Sequence, residues 1–303
     1  MRQRATFFTP TFARDLERFT LLRESMERCG VAIPHIAVVQ HEDLHLFEKI
    51  PFKQGLTLLS SRDVLPPDIE SRRTQRNLSR WNPTRYITPR SILGWMVQQL
   101  VKVSAPDFVD TEAILCLDSD VFFARNITED MFFTQDGKLH LYADPDVCTV
   151  ETVMWMATSM KAFNVPYSKR PSCFIHNPVP IHREVMLEMR QFLEKTYNKR
   201  WIDAFLECQL TEYTSYGVYA RDVNNMKHHH LTKPPYTLNY WVAEEMENIE
   251  SDLIEKISDT DVRIVLINSS AGRPVSEYRH LVEKAWKIAE QNPAAASIGS
   301  QNA

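Results

Sequence analysis

The amino-acid sequence predicts an α/β protein, with a mixed, mostly parallel sheet flanked by helices and folded as one compact domain. Short apolar runs typical of buried strands alternate with amphipathic helical segments through the first half of the chain. Such strand–helix–strand units form parallel strands joined by right-handed crossovers. Neither an internal repeat nor a linker rich in proline and glycine divides the 303 residues, which argues against separate domains.

The N-terminal elements follow from local patterns. Residues 5–8 predict the first strand, which we expect to end at a turn over Thr9-Pro10-Thr11. Asp15 then opens a helix that Gly30 closes. The apolar face of that helix comprises Leu16, Phe19, Leu22 and Met26. Two further strands are predicted at residues 35–39 and 56–59.

A basic stretch separates these strands from the middle of the chain. Residues 71–106 contain no Asp or Glu but seven positively charged side chains, namely Arg72, Arg73, Arg76, Arg80, Arg85, Arg90 and Lys102. Residues 71–86 lack periodicity and predict a long loop, whereas residues 91–103 predict a helix. Most of these arginines suit a solvated surface. Arg90 or Lys102, which lie nearest the next strand, are candidates to contact a diphosphate.

Fewer elements are predicted in the second half. Residues 138–143 and 263–267 predict strands, and residues 183–195 predict a helix. A C-terminal helix is expected to begin just after Pro274.

Composition excludes several classes of protein. The net charge of -4 gives no general attraction to nucleic acid, and no apolar run approaches the ~18–20 residues that cross a bilayer. No secretory signal is recognised, and the five scattered cysteines form no CxxC pair, so reduced thiols in a cytoplasm are expected. The seven glycines never form GxGxxG or GxxxxGK. Any bound phosphate must therefore be held by a metal ion or by basic side chains.

The stretch ILCLDSDVFF, residues 114–123, places two acids directly after a predicted strand. Its first four residues are apolar, which is typical of a strand covered on both faces. In open α/β sheets, ligands bind beyond the carboxyl ends of the strands. Asp118 and Asp120 would lie there on the same side, with Ser119 opposite. Two such carboxylates suit a hard divalent cation, Mn²⁺ or Mg²⁺, that also takes diphosphate oxygens. The alternative is a pair of solvated loop acids.

The same stretch resembles the DxD motif of nucleotide-sugar glycosyltransferases with the GT-A fold. Three further blocks extend the resemblance to a bacterial branch of these enzymes, largely known as a domain of unknown function. They are FFTPTFARDLERFTLL at residues 7–22, Gln98-Gln99-x-x-Lys102 before the DxD strand, and TEYTSYGVY at residues 211–219. The resemblance covers most of residues 5–270 and implies a GT-A-like, Rossmann-type domain.

That resemblance also implies an activity. The enzyme would move a sugar from a nucleotide diphosphate sugar to a saccharide or glycolipid acceptor. The process would be synthesis of a bacterial surface polysaccharide, such as capsule or lipopolysaccharide. We expect the protein in the cytoplasm, with peripheral association at the inner membrane.

The same resemblance assigns residues to these roles. Residues 1–150 would bind the donor and residues 151–292 the acceptor, followed by a flexible tail at 293–303. The implied donor-binding residues are Thr9, Pro10, Thr11, Arg90, Gln99, Lys102, Asp118, Ser119 and Asp120. Asp118 and Asp120 would hold Mn²⁺ or Mg²⁺. Many relatives carry a histidine as a further metal ligand near the C-terminus, but residues 268–270 here read Asn-Ser-Ser.

The block at residues 211–219 supplies the candidate catalytic residue. Glu212 is its one acid, so we predict that it is the general base that takes the proton of the acceptor hydroxyl. Direct attack by that hydroxyl would invert the anomeric centre. Tyr213 and Tyr216 would contact the acceptor, and Gly217 would let the backbone approach a sugar closely. The alternative is that Glu212 caps a helix or forms a structural ion pair.

Two other functions share part of this pattern. A Mg²⁺-dependent phosphatase of the haloacid dehalogenase type also ends an apolar strand in D-x-D, but there the motif lies near the N-terminus and is followed by Gly-Thr. A sugar-binding protein on the same fold without catalysis is the second alternative.

Histidines and tryptophans give weaker signals. Adjacent side chains point in different directions, so His228-His229-His230 predicts a surface loop rather than a metal-binding tract. His176 and His182 would either line the acceptor pocket or cap the helix that follows. Four tryptophans are candidates to stack on sugar rings or to fill the core, namely Trp81, Trp95, Trp155 and Trp241.

Overall fold

The structure, a computed structural model, describes residues 3–72, 94–167 and 171–292. The strands in these residues are β1 (Ala5–Thr11), β2 (His35–Val39), β3 (Leu56–Ser60), β4 (Ala113–Cys116), β5 (Val121–Phe123), β6 (Leu139–Tyr142), β7 (Val179–His182), β8 (His229–Thr232), β9 (Thr237–Tyr240) and β10 (Ile264–Ile267).

A five-stranded sheet with the order β3-β2-β1-β4-β7 forms the centre of the protein. Strands β1 to β4 are parallel, whereas β7 runs antiparallel to β4 at the edge. The prediction of a mixed, mostly parallel sheet is therefore confirmed. Two smaller sheets have the orders β5-β10-β9 and β6-β8. Because β5 follows β4 after four residues, the segment Leu117–Asp120 is where the chain leaves the central sheet for the second sheet.

The helices flank these sheets. They are α1 (Leu16–Arg28), α2 (Leu44–Phe47), α3 (Ser61–Val64), α4 (Gly94–Ser104), α5 (Val150–Ala162), α6 (Arg183–Tyr197), α7 (Trp201–Glu207), α8 (Glu212–Val218), α9 (Ile249–Asp259) and α10 (Val275–Gln291). Residues 67–72 are also helical. The predicted helices α1, α6 and α10 are confirmed, as is the described part of the helix predicted at 91–103. Among the described residues, no helix combines the length and apolarity needed to span a bilayer.

Both faces of the central sheet are covered. Phe7 and Phe8 are neighbours on β1 and are both fully buried, although successive strand residues point to opposite faces. Phe7 packs in one apolar cluster with Phe19 of α1, and Phe8 packs in another with Leu100 of α4. Helices on both sides therefore hold β1 and its neighbour β4, and fix the position of the residues that follow them.

Strand β1 is longer than predicted. It continues through Thr11, so the predicted turn over residues 9–11 is wrong. Pairing with β2 continues as far as Thr11↔Val39, whereas pairing with β4 ends at Phe8↔Cys116. Pro10 is tolerated because its missing N–H faces the β4 side, beyond the end of that pairing.

The strand order places a ligand-binding crevice between β1 and β4. The chain builds β2 and β3 on one side of β1 and then crosses to the other side to form β4. The carboxyl ends of β1 and β4 thus diverge at a topological switch point, the usual ligand site of open α/β sheets. Thr11 ends β1, and Asp118 follows β4 at this point.

Candidate functional site

The loop after β4 carries the two predicted acids into a partly covered crevice. The Leu117 N–H donates to Phe8 O at 3.1 Å and so continues the sheet pairing one residue beyond β4. Asp118 and Asp120 are half-buried, whereas Ser119 between them is buried. Strand β5 follows at once and pairs antiparallel with β10, so both ends of this loop are anchored.

A buried lysine joins the first acid to the predicted base. Lys102 Nζ donates to Asp118 Oδ1 at 2.8 Å and to Glu212 Oε1 at 3.0 Å. The exposed fraction of the side chain is 7% for Lys102, 9% for Glu212 and 31% for Asp118. Water therefore screens these charges weakly. The cation beside Asp118 is thus Lys102, which lies 16 residues earlier in the sequence. Glu212, the second carboxylate that Lys102 binds, lies 110 residues after the lysine.

Within this network, Lys102 and Asp118 are held ionised. Burial alone would lower the pKa of Lys102, but its acidic neighbours, Asp118 foremost, raise the pKa well above its usual value. Burial likewise opposes ionisation of Asp118, yet Lys102 and Asn177 outweigh it and lower the pKa of that carboxyl. Both groups therefore carry their charges through the neutral pH range.

Asn177 fixes the orientation of Asp118. Its Nδ2 donates to Asp118 Oδ2 at 3.0 Å, and its Oδ1 accepts from the Asp118 N–H at 3.0 Å. The residue is fully buried just before the edge strand β7. Sequence reasoning missed Asn177 and noted only the histidines that flank it, because a single asparagine before a proline gives no signal beyond a turn.

Asp120 has different surroundings. Its Oδ2 accepts from the Ser269 N–H at 2.8 Å, while its Oδ1 is buried and has no hydrogen-bond partner within the described residues. Burial and the charge of Asp118 raise the pKa of Asp120 to about 7. Asp120 therefore keeps one buried carboxylate oxygen without a partner among the described residues.

Asp15 adds a third acid that sequence reasoning treated only as the start of a helix. Burial raises the pKa of Asp15, in part offset by a hydrogen bond with Ser119. The charge of Asp118 raises the pKa of both Asp15 and Asp120, which shows that these carboxyl groups lie near one another. The end of β1 and the end of β4 thus bring together acids that are more than 100 residues apart.

These groups fit a divalent cation. The four carboxyl groups of Asp15, Asp118, Asp120 and Glu212 outnumber the three cations near them, which are Lys102, Arg14 and Arg18. A buried carboxylate oxygen without a partner is costly in a folded protein unless a ligand satisfies it, and oxygen atoms are the ligands that Mn²⁺ and Mg²⁺ prefer. Asp118 is less free, because both of its oxygens already accept hydrogen bonds, although each retains a second lone pair. Asp120 would be the main ligand and Asp118 a weaker one.

Glu212 opens α8 and is tied to α4 twice. Besides its ion pair with Lys102, its N–H donates to Gln99 Oε1 at 3.2 Å. Gln99 and Lys102 are three residues apart and so lie on one face of α4, which explains the Gln-x-x-Lys spacing. The structural ion pair foreseen as the alternative for Glu212 is therefore present. Its other oxygen, Oε2, makes no hydrogen bond to any part of the chain that the structure describes.

The three residues predicted to bind the acceptor differ in position. The ring of Tyr213 lies 4.3 Å from Lys102 Nζ, and its buried hydroxyl has no partner among the described residues. Tyr216 is fully buried, and its hydroxyl accepts from the His182 N–H at 2.6 Å. A Cβ at Gly217 would lie 2.3 Å from the Phe174 ring. Tyr216 and Gly217 thus pack inside the protein, which corrects the prediction that they contact an acceptor.

The predicted donor contacts on β1 are also partly corrected. Thr9 is fully buried, and its hydroxyl bonds to His35 Nε2 at 2.8 Å, so Thr9 faces the core rather than a ligand. Pro10 is buried beside it. Thr11 lies at the crevice, and its Oγ1 has no partner in the described part of the chain. Arg90 lies outside the described residues, and its predicted contact with diphosphate stays a prediction.

The histidine and tryptophan predictions divide in the same way. His229 begins β8 and is buried, so the predicted surface loop is wrong at that residue. His182 stands at the N-cap of α6, but its side chain makes no capping bond. Trp95 on α4 is 49% exposed, and its ring centroid lies 5.9 Å from that of Trp155. Trp81 lies outside the described residues.

Comparisons with known proteins give a family and a distant structural likeness. A family model described as a family of unknown function, DUF6492, matches residues 8–288. A comparison with curated proteins finds no match. Among solved structures, mouse xyloside xylosyltransferase 1 in its apo form is similar at 11% sequence identity and a TM-score of 0.47, and the match covers 89% of this chain and 99% of that one.

Proposed function

The chain belongs to DUF6492, a family of unknown function, and we propose that it is a metal-dependent glycosyltransferase. The donor would be a nucleotide diphosphate sugar and the acceptor a saccharide or glycolipid. Asp120 and Asp118 would hold Mn²⁺ or Mg²⁺, and Lys102 would offset the negative charge of Asp118 and Glu212 beside the leaving diphosphate.

One observation carries this proposal. Asp120, at the topological switch point of the sheet, has a buried oxygen without a partner in the described residues, and the acids around it outnumber the cations. A carboxylate that is purely structural would be paired on both oxygens, whereas Asp120 is paired on only one. A cation that also takes phosphate oxygens satisfies both the orphaned oxygen and the excess negative charge.

The chain's own side chains suit displacement at an anomeric carbon. A bound divalent cation would act as a Lewis acid that stabilises charge on the diphosphate leaving group. Lys102 keeps its charge and shares it with Asp118 and Glu212, so it would reduce the repulsion between these carboxylates and a nearby phosphate. Glu212 offers Oε2 to the acceptor hydroxyl while Oε1 stays bound to Lys102. The acceptor oxygen would then bond to the anomeric carbon, the bond from that carbon to the diphosphate would break, and the proton would pass to Glu212. Such a direct displacement inverts the anomeric centre.

An aromatic surface on α4 suits the sugar. Trp95 lies four residues before Gln99 and seven before Lys102, so all three are on one face of the helix. The ring of Trp95 is half exposed beside Trp155. Exposed tryptophan faces are typical platforms for the apolar side of a sugar ring. A role in bacterial surface polysaccharide synthesis rests on the sequence resemblance alone.

The alternatives are less well supported. A phosphatase nucleophile must be free to attack phosphorus, whereas both oxygens of Asp118 accept hydrogen bonds from Lys102 and Asn177. A non-catalytic sugar-binding protein would bind the same donor without turning it over, so the experiment must measure binding and transfer separately.

Calorimetric titration of UDP and GDP, with and without Mn²⁺, tests the proposal. We expect Mn²⁺-dependent binding of one nucleotide, lost or weakened about tenfold or more in Asp120→Asn and Asp118→Asn. Asp259→Asn is the matched control, because Asp259 is an exposed carboxylate at the end of α9 and does not belong to the acids around Asp118 and Asp120. Equal affinity with Mn²⁺ in the wild type and both site variants would overturn the metal assignment. Binding without sugar transfer to any saccharide acceptor would favour the non-catalytic alternative.

A further inference from the structure

A second group of potential metal ligands lies away from the acids at the switch point. His182 ends β7, Glu184 is in the first turn of α6, and His228 directly precedes β8. One ring nitrogen of each histidine and one carboxylate oxygen of Glu184 all lie within 4.8 Å of one another. Three separate chain segments thus bring two imidazoles and a carboxylate to one point.

Two nitrogen atoms in this group are buried without a partner. His182 Nδ1 and His228 Nε2 make no hydrogen bond to the residues that the structure describes. The His182 side chain is only 7% exposed. The two rings lie with centroids 4.3 Å apart and planes inclined at 30°. Buried polar atoms of this kind are rare in folded proteins, and each calls for a ligand or an ion.

We propose that His182, Glu184 and His228 bind a divalent transition metal ion of the Zn²⁺ class. Two imidazole nitrogens and one carboxylate oxygen are a common protein ligand set for Zn²⁺, with a fourth position left for water or another ligand. Imidazole favours Zn²⁺ over Mg²⁺, which prefers oxygen ligands throughout, so this site and the acids at the switch point would select different metals.

Glu112 supplies a supporting carboxylate. Its Oε1 lies 3.8 Å from His182 Nε2. Its Oε2 accepts from Arg4 Nη2 at 3.1 Å, which holds the carboxylate in place. When His182 Nδ1 binds a metal, Nε2 carries the ring proton, and Glu112 would have to move closer than the present 3.8 Å to accept a hydrogen bond from it. Metal-binding histidines typically have such a carboxylate partner on the opposite ring nitrogen.

An open cavity gives access to the group. Its volume is about 550 Å³, and His182, Glu184 and His228 contribute to its wall together with Asp110 and Glu112. The wall contains three acids and two arginines, Arg4 and Arg183, so its net charge is negative and favours the approach of a cation. A hydrated metal ion can therefore reach the histidines without unfolding of the surrounding strands.

The site is at the opposite end of the central sheet from the acids. His182 pairs with Ala113 at the start of β4, whereas Asp118 follows the end of that strand. Tyr216 links the two regions, because its hydroxyl bonds to the His182 N–H and to His229 Nε2, and it lies four residues after Glu212 on α8. A metal here would fasten the β7–α6 junction to the turn before β8 and so stabilise the fold. The inference does not depend on the proposed transferase activity.

Zinc titration of the chelator-treated, untagged chain tests this proposal. The Asp120→Asn variant serves as the parent, so that the acids at the switch point do not contribute a second site. We expect one Zn²⁺ per chain and a rise in the unfolding temperature on binding. Glu184→Gln and His228→Ala should each weaken binding about tenfold or more. His230→Ala is the matched control, because this exposed neighbour lies outside the group and should leave binding unchanged.

The outcomes separate the possibilities. Glu184 is exposed, so Glu184→Gln should fold even where His228→Ala does not. Absence of saturable Zn²⁺ binding in the parent would overturn the site. Parental Zn²⁺ affinity in both single variants, Glu184→Gln and His228→Ala, would overturn it as well. Weakening by His230→Ala to the same extent would show that zinc binds the surface histidines instead. Visible absorption of the Co²⁺-loaded parent that disappears in Glu184→Gln would give independent support.

Discussion

Replacement of Lys102 by methionine gives the sharpest test of the buried charge network. Methionine keeps most of the apolar stem but removes the ammonium group that Asp118 and Glu212 share at 2.8 and 3.0 Å. Breaking a buried ion pair by removal of one partner typically costs about 3–5 kcal/mol, because the remaining charge is left unpaired. Glu212 is only 9% exposed, whereas Asp118 is 31% exposed and keeps some water. We therefore expect Lys102→Met to lower the free energy of unfolding by about 3 kcal/mol at neutral pH.

Urea-induced unfolding followed by circular dichroism measures this difference. The matched control is Lys287→Met on the exposed face of α10, which should change the free energy of unfolding by less than about 0.5 kcal/mol. The double variant Lys102→Met with Glu212→Gln should lose less than the sum of the two single losses, because the two residues interact.

The pH dependence has a defined sign. In the wild type, Lys102 helps to hold the pKa of Asp118 below its ordinary value of 3.8, so this contribution to stability is present above that pH and is lost as the pH falls through the lowered value. In Lys102→Met, the unpaired carboxyls can take up protons instead. The difference between the proteins should therefore shrink toward acid pH. A loss under about 1 kcal/mol at neutral pH, or one that is the same at all pH values, would refute the role given to Lys102.

Three further predictions follow from the same contacts. The pKa of Asp120 is raised to about 7, so the metal-free wild type should lose stability relative to Asp120→Asn as the pH rises from about 4 to about 8. Thermal unfolding in the presence of a chelator should show that the variant is more stable by about 1–3 kcal/mol at the upper pH. A stability difference that does not change with pH would contradict the raised pKa. Glu212→Gln should lower kcat by ~10²–10⁴-fold with little change in donor affinity; near-normal turnover, or a product with the donor's anomeric configuration by NMR, would exclude its role as base in an inverting reaction. Gly217→Ala should lower the free energy of unfolding in urea by about 1–3 kcal/mol, because the new Cβ would lie 2.3 Å from the Phe174 ring. The control Gly94→Ala, whose Cβ would have no atom within 4 Å, should not destabilise the protein. Equal effects of the two substitutions would show that the Phe174 ring moves aside freely.

Strong local patterns in the sequence predicted much of the fold. The apolar runs of β1 to β4 and the periodic faces of α1, α6 and α10 identify these elements because each pattern is complete within one segment. The position of Asp118 and Asp120 after β4 was predictable for the same reason. By contrast, β7 contains Pro180 and β8 begins with two histidines, so neither resembles a strand in sequence. Pro180 is accommodated because β7 is an edge strand, a property that depends on the whole sheet.

The partners of the site residues were decided only by the tertiary structure. The sequence predicts a lysine on a helix, an acid after a strand and a second acid in an aromatic block. It does not predict that the ammonium group of the lysine binds both acids. The same holds for Asn177 on Asp118, for Asp15 beside Ser119, and for the histidines that meet Glu184. Helix and strand formation depends on neighbouring residues along the chain, whereas these contacts depend on the packing of elements up to 110 residues apart. Burial then determines which polar atoms keep a partner and which, like Asp120 Oδ1, are left for a ligand.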